Sequence, residues 1–182
     1  MVNEQKPRQF IFGMYVSDEP GVLNRISGMF SRRGVNIDTV TVGSTSLSHV
    51  SKIIVSFTET PKTAVQMEKQ LRKIISVKRI QHLDREYSII REFCLIKVST
   101  NNGKNIAEIK KIAKNFEAKI VDVNRDEVIL EFGASPKVVL DLIRNIESYG
   151  IIDISRTGLT AIRGVHATHK EVFIEEMYTN NR

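Results

Sequence analysis

The sequence has few of the features that mark membrane, secreted and disulfide-bonded proteins. Its 182 residues include one cysteine and no tryptophan. A single cysteine excludes an intramolecular disulfide, and no apolar run is long enough to span a bilayer. The N-terminal residues 1–9 carry charges but no apolar segment of the signal-peptide kind. These absences predict a soluble cytoplasmic protein, because cysteine stays reduced in that compartment.

Motifs of catalysis and cofactor binding are also missing. There is no phosphate-binding loop, no dinucleotide fingerprint and no recognisable Ser-His-Asp set. His166 and His169 would share one face of a helix, but two ligands are too few for a metal site. Cys94 lies in an apolar run, which favours a small buried side chain over a nucleophile. We therefore predict no catalytic residue, no metal site and no cofactor bound by this chain.

The net charge of +6 raises the question of nucleic acid. Residues 1–84 hold 12 basic and 7 acidic side chains, whereas residues 85–182 hold 15 and 14. The excess of +5 in the first half is scattered in short doublets near the ends of predicted elements. No basic strand interleaved with aromatic residues is present. We interpret these charges as a solvated surface and predict neither a nucleic-acid nor a membrane partner.

Hydrophobic periodicity divides the chain into two similar halves. The first half predicts the order strand, helix, strand, strand, helix, strand, and the second half repeats it after roughly 80 residues. The small, polar segment 43–48 predicts a hairpin with a long, flexible tip, and residues from Thr157 onward show no clear periodicity. The predicted strands are 9–16, 36–42, 50–58, 77–83, 92–98, 119–123, 128–132 and 151–155. The predicted helices are 21–33, one opening at Pro61, 105–116, and one capped by Ser135 and ended by Gly150.

This order predicts an α+β protein with two ferredoxin-like βαββαβ modules in tandem, residues 1–84 and 85–182. Each module would place two helices on one face of a four-stranded sheet. The opposite face and the sheet edges then need cover. A homodimer with sheets joined edge to edge or face to face would supply it.

The segment most informative about function connects the first strand to the first helix. Pro20 suits a first helical turn, and Gly21 lets a ligand approach the backbone closely. Unpaired N–H groups at a helix start form an anion site, and Asp18 beside them would hold a cation. Together they would recognise the carboxylate and ammonium of an amino acid. The alternative, at this point still open, is that Pro-Gly only starts the helix tightly.

A family resemblance favours the first interpretation. Asp18-Glu19-Pro20-Gly21-Val22-Leu23 after a first strand, in this six-element order, resembles the ACT domain, a ligand-binding module of amino-acid metabolism. Further stretches in the right order are similar to small subunits of acetolactate synthase, and the resemblance covers roughly residues 9 to 165. These stretches are Arg33-Gly34-Val35-Asn36-Ile37 and its continuation to Val42, residues 66–73, residues 118–123, and Ser155-Arg156-Thr157-Gly158.

The resemblance implies a regulatory subunit that is not an enzyme. It would activate a separate catalytic subunit, which uses thiamine diphosphate, magnesium and FAD, and would make it sensitive to valine in branched-chain amino-acid biosynthesis. Valine would lie at the interface of a homodimer formed through the first module. The family commonly has asparagine where this chain has Asp18, whose carboxylate should attract an ammonium but repel a carboxylate. The implied effector-binding residues are Asp18, Glu19, Pro20, Gly21, Val22 and Leu23 of one chain, with Asn36 and Ile37 of the other.

The second half lacks the motif, because its corresponding loop is 100–105, without Pro-Gly. The resemblance implies that residues 85–182 contact the catalytic subunit. The competing hypothesis is a stand-alone ACT-type sensor that acts on another enzyme or on transcription. The +5 charge of the first half is the best support for that alternative.

Overall fold

The structure, a computed structural model that describes residues 6–165, contains two four-stranded antiparallel sheets with two helices each. The predicted α+β fold of two βαββαβ modules is confirmed. In the first module the strand order is β2-β3-β1-β4, so β2 and β4 are edge strands. Its elements are β1 (Arg8–Ser17), α1 (Val22–Ser31), β2 (Thr39–Ser44), β3 (Val50–Glu59), α2 (Pro61–Leu71) and β4 (Val77–His82).

The second module repeats this topology with the strand order β6-β7-β5-β8. A loop of residues 83–87, which contains the predicted boundary at residue 84, joins the modules. Its elements are β5 (Ser88–Ser99), α3 (Ile106–Phe116), β6 (Lys119–Val123), β7 (Glu127–Ala134), α4 (Pro136–Ile146), a short 3-10 turn (Glu147–Tyr149) and β8 (Ile151–Arg163). None of the helices within residues 6–165 is long and apolar enough to cross a membrane.

Each module has its own core between sheet and helices. In the first, the ring of Phe57 lies 5.0 Å from that of Phe12 and 5.3 Å from that of Phe30, both edge to face. Such pairs add stability beyond the area that they bury. In the second, Ile96 and Leu130 pack under the two helices, and Cys94 is fully buried. The prediction of a buried Cys94 is confirmed.

The last strand is longer than predicted. The prediction that it ends at Ser155 is wrong, because β8 continues to Arg163 and pairs with the N-terminal part of β5. Residues 88–92 and 159–163 thus form a two-stranded ribbon that extends beyond the second sheet. His166 and His169, considered above as metal ligands, lie outside the described residues.

The ribbon contacts the open face of the first sheet, opposite its helices. Ile90, Leu159 and Ala161 of the ribbon form a third buried cluster, and the first module contributes Ile11, Ile54 and Leu83 to it. This face was expected to need a second chain as cover, but the same chain supplies part of it. The two modules therefore share a hydrophobic contact.

The β2–β3 hairpin also differs from prediction. Strand β2 begins at Thr39 rather than residue 36 and includes Gly43 and Ser44, which shortens the tip to residues 45–49. That tip is hydrogen-bonded rather than open. The hydroxyl of Thr45 accepts the amide of Leu47 at 3.1 Å and donates to the carbonyl of Val50 at 2.8 Å.

Candidate functional site

The loop between β1 and α1 is held by two neighbouring segments. The amide of Ser17 donates to the carbonyl of Ser76 at 2.8 Å, in the connection between α2 and β4. The amide of Asp18 donates to the carbonyl of His49 at 2.9 Å, at the tip of the β2–β3 hairpin. Because both bonds use backbone groups, they fix the path of the loop without engaging its side chains.

Helix α1 begins with an uncapped and open N-terminus. Gly21 is the N-cap residue, with a φ of 84°, a left-handed conformation that favours glycine. Pro20 precedes the cap, so the prediction that it lies in the first helical turn is wrong. Within the described chain, the amides of Gly21, Leu23 and Asn24 find no hydrogen-bond acceptor. These unpaired donors and the positive end of the helix dipole favour an anion.

The two acidic residues of the loop differ in their contacts. Glu19 Oε1 accepts hydrogen bonds from Arg25 Nη2 at 2.8 Å and from Ser76 Oγ at 2.6 Å. The carboxylate of Asp18 is exposed and has no partner among residues 6–165. Of the two, Asp18 is therefore the one whose negative charge is available to a ligand ammonium.

Sequence inspection missed Arg25 and Ser76. Arg25 Nη2 also donates to Ser76 Oγ at 2.9 Å, and Arg25 Nη1 lies 3.5 Å from the position that a Cβ on Gly21 would occupy. The guanidinium of Arg25 thus lies beside the helix start, where its charge is paired with the carboxylate of Glu19. Arg25 follows Gly21 by four residues, one helical turn, and that spacing could have revealed it. Ser76 is remote in sequence, and no local pattern points to it.

Asn36 and Ile37 lie at the other end of α1. The helix has ten residues, so about 15 Å separate its two ends. Asn36 is exposed, whereas Ile37 packs against the first core. One chain therefore does not bring them to the loop, and a shared site requires a second copy. Beyond Ile37, edge strand β2 exposes two apolar side chains, Val40 (40%) and Val42 (50%).

The corresponding loop of the second module is closed by its own hydrogen bonds. The amide of Asn105 donates to the carbonyl of Thr100 at 3.0 Å, and the amide of Gly103 donates to the hydroxyl of Thr100 at 3.3 Å. The hydroxyl of Thr100 in turn donates to the carbonyl of Arg125. These bonds use the amide of the cap residue Asn105, whereas Gly21 at the start of α1 leaves its amide unpaired; the amides of Ala107 and Glu108 find no acceptor within residues 6–165.

The described residues offer little to a metal or a nucleophilic reaction. No group of three His, Cys, Asp or Glu side chains comes together within residues 6–165. Burial raises the pKa of the Cys94 thiol, and the nearby carboxylate of Glu92 raises it further. A raised pKa keeps the thiol protonated and unreactive.

Both modules match known protein families. Residues 12–79 match the "AHAS small subunit-like ACT domain", and residues 91–164 match the family described as "Small subunit of acetolactate synthase". The two matched segments correspond to the two sheets of the structure.

Whole-chain relatives agree with these matches. A probable acetolactate synthase small subunit of Methanothermobacter thermautotrophicus is 34% identical, over 87% of this chain and 95% of that protein. The acetolactate synthase small subunit of Mycolicibacterium smegmatis is 37% identical, over 84% and 91%. A chloroplastic small subunit of Arabidopsis thaliana is 35% identical, but the match spans only 32% of its length.

One solved structure is similar to this chain over nearly the whole length of the solved chain. The crystal structure of the acetolactate synthase small subunit from Thermotoga maritima superposes with a TM-score of 0.81 at 31% sequence identity. The match covers 86% of this chain and 98% of that one. The tandem arrangement of two modules is therefore shared with that relative.

Proposed function

Because the chain belongs to the acetolactate synthase small-subunit family, we propose that it is a regulatory subunit that activates a catalytic subunit and is not itself an enzyme. The catalytic partner would use thiamine diphosphate, magnesium and FAD. This chain would make that partner sensitive to valine in branched-chain amino-acid biosynthesis. The observation that supports this role is the open start of α1 beside the unpaired carboxylate of Asp18.

The chemistry of the loop fits an amino-acid effector. Its α-carboxylate would accept hydrogen bonds from the free amides at the start of α1. Its α-ammonium would pair with Asp18. The side chain of Leu23, two residues after Gly21, is exposed and offers an apolar surface to a small aliphatic side chain such as that of valine.

We propose that a homodimer completes the effector site. Asn36 lies about 15 Å from the loop in its own chain, so it would reach the loop of a second copy. The free edge of β2, with exposed Val40 and Val42, would bring the two copies together. An isologous pair of this kind forms two equivalent sites.

The two halves of the chain would then have different roles. Residues 1–84 would bind valine, and residues 85–182 would contact the catalytic subunit. The open face of the second sheet supports a contact role, because Phe93 and Leu95 are exposed there. We expect the complex in the cytoplasm, where the single reduced thiol is compatible with the compartment.

Reconstitution tests the proposal. The protein is mixed with an acetolactate synthase catalytic subunit, ideally the one encoded beside its gene, and acetolactate is measured with and without valine. We expect a complex, higher activity than the catalytic subunit alone shows, and inhibition by valine. No complex and no activation would contradict the regulatory role. Activation without inhibition by valine, leucine or isoleucine would contradict the effector assignment.

A further inference from the structure

Edge strand β2 presents different side chains to its two sides. Val40 and Val42 point to the helix side and are exposed at the sheet edge. Thr39 and Thr41 alternate with them and point to the open face, toward the second module. One short strand therefore adjoins both the proposed dimer edge and the other half of the chain.

The threonines contact β8 through its backbone. Thr41 Oγ1 donates to the carbonyl of Leu159 at 2.9 Å and lies 3.2 Å from the carbonyl of Thr157. The amide of Leu159 reaches Thr39 Oγ1 at 3.5 Å. We call this set, Thr39 and Thr41 with residues 157–159, the β2–β8 clasp. Alongside it, Lys52 Nζ donates to the carbonyl of Ala161 at 2.9 Å.

Gly158 makes the close approach of the two strands possible. It is buried, with a φ of 78°. A Cβ at this position would lie 2.9 Å from the Cβ of Thr39, closer than two carbon atoms can pack. Any side chain here would have to push β8 away from β2. The clasp therefore depends on one glycine and on the hydroxyls of two threonines, of which Thr41 makes the shorter hydrogen bond.

Beyond the clasp, the ribbon joins the second core at a junction that contains an ion pair. Ile90 and Leu159 belong to the cluster shared by the modules, whereas Cys94 belongs to the core of the second module. Between the shared cluster and the second core lies Glu92. Its side chain is 2% exposed and accepts two hydrogen bonds from Arg156, each of 2.8 Å. A bidentate pair of this kind fixes the relative position of β5 and β8.

We propose, on the basis of the function proposed above, that the β2–β8 clasp transmits effector binding from the first module to the second. Asn36, the predicted contact with effector from the partner copy, lies three residues before Thr39. A shift of this segment on binding would move Thr41, and with it the carbonyls of β8. The Glu92–Arg156 pair would carry the movement into the second sheet. Coupling of this kind requires that the effector favour one of two arrangements of the clasp.

The variant Thr41→Val removes the hydroxyl and keeps the shape of the side chain. We expect the isolated protein to bind valine as the wild type does, while the factor by which valine inhibits the reconstituted enzyme falls by about five-fold or more. Thr41→Ser, which keeps the hydroxyl, should retain inhibition. Thr160→Val is the matched control, because Thr160 lies on the same ribbon and is exposed.

Unchanged inhibition in Thr41→Val would overturn the proposal, and so would loss of valine binding in the isolated protein. Hydrogen exchange of the wild type tests it without a variant. Valine should alter amide exchange in residues 157–161 as well as in the loop before α1, and a change confined to the first module would overturn the coupling. A wild type that neither activates nor responds to valine would instead reject the proposed function.

Discussion

The two modules have the same topology but different loops between first strand and first helix. In the first module, Gly21 starts α1 with a φ of 84° and leaves amides unpaired. In the second, the N-cap residue of α3 is Asn105, with a φ of −96°, and its amide donates to the carbonyl of Thr100 at 3.0 Å. The two cap residues thus differ in backbone conformation and in whether their own amide is bonded, whereas the second and third amides of both helices find no acceptor in the described chain. The difference teaches that the fold alone does not make the site, which depends on the residue at the helix cap and on whether its amide is left open.

The strongest test of this comparison places the same change in both loops. Gly21→Asp adds a side chain at a left-handed residue and a negative charge beside the open amides, so we expect valine inhibition of the reconstituted enzyme to be abolished. Gly103→Asp adds the same charge with the same backbone strain, about 1 kcal/mol, and should leave inhibition intact. Thermal unfolding checks that both variants fold. Retained inhibition in Gly21→Asp would refute the placement of the effector.

A second test compares how much two ion pairs contribute to stability. One is the Glu92–Arg156 pair at the junction of the modules, and the other is an exposed pair on the open face of the second sheet. Arg156→Met would leave Glu92 buried without its partner. We expect a loss of about 2 kcal/mol in the free energy of unfolding, less than for a fully buried pair because the Arg156 side chain is 43% exposed. Lys119→Met breaks an exposed cross-strand pair with Glu131 and should cost under about 1 kcal/mol. Urea unfolding measures both, and equal losses would contradict a structural role for the junction.

The smallest effect is expected at the start of the second helix of each module. Thr60 caps α2, and its hydroxyl accepts the amide of Thr63 at 3.2 Å, whereas Ser135 caps α4 without a side-chain hydrogen bond. Thr60→Ala should therefore lower stability by about 1 kcal/mol, and Ser135→Ala by less than half as much. Chemical denaturation of the two variants measures which of them loses more stability. A larger loss for Ser135→Ala would show that its hydroxyl contributes in solution.

Periodicity predicted the elements well where one face of each is buried. The stripe Val22, Ile26 and Phe30 marks α1, and the structure buries all three. The fold class and the order of strands and helices followed from such patterns. The position of Ser135 before α4 is also confirmed, although the predicted capping bond is not present.

The continuation of β8 could not be predicted for a physical reason. A register shift between Glu92 and Cys94 changes which side chains face which core, so the alternation is interrupted at the junction. The residues at this point have no apolar pattern; they are Arg156, Thr157 and Gly158. Their roles depend on Glu92 and Thr39, which are distant in sequence. Ser76, a partner of Arg25 that is 51 residues away, was missed for the same reason.

A complementation measurement tests most directly the claim that two copies share one amino-acid site. Two differently tagged chains, one with Gly21→Asp and one with Asn36→Ala, are co-expressed, and the heterodimer is purified through both tags. Each homodimer has two damaged sites, whereas the heterodimer has one intact site and one doubly damaged site. We expect the heterodimer to bind about one valine at near wild-type affinity and neither homodimer to do so. A heterodimer that binds no better than the homodimers would contradict it.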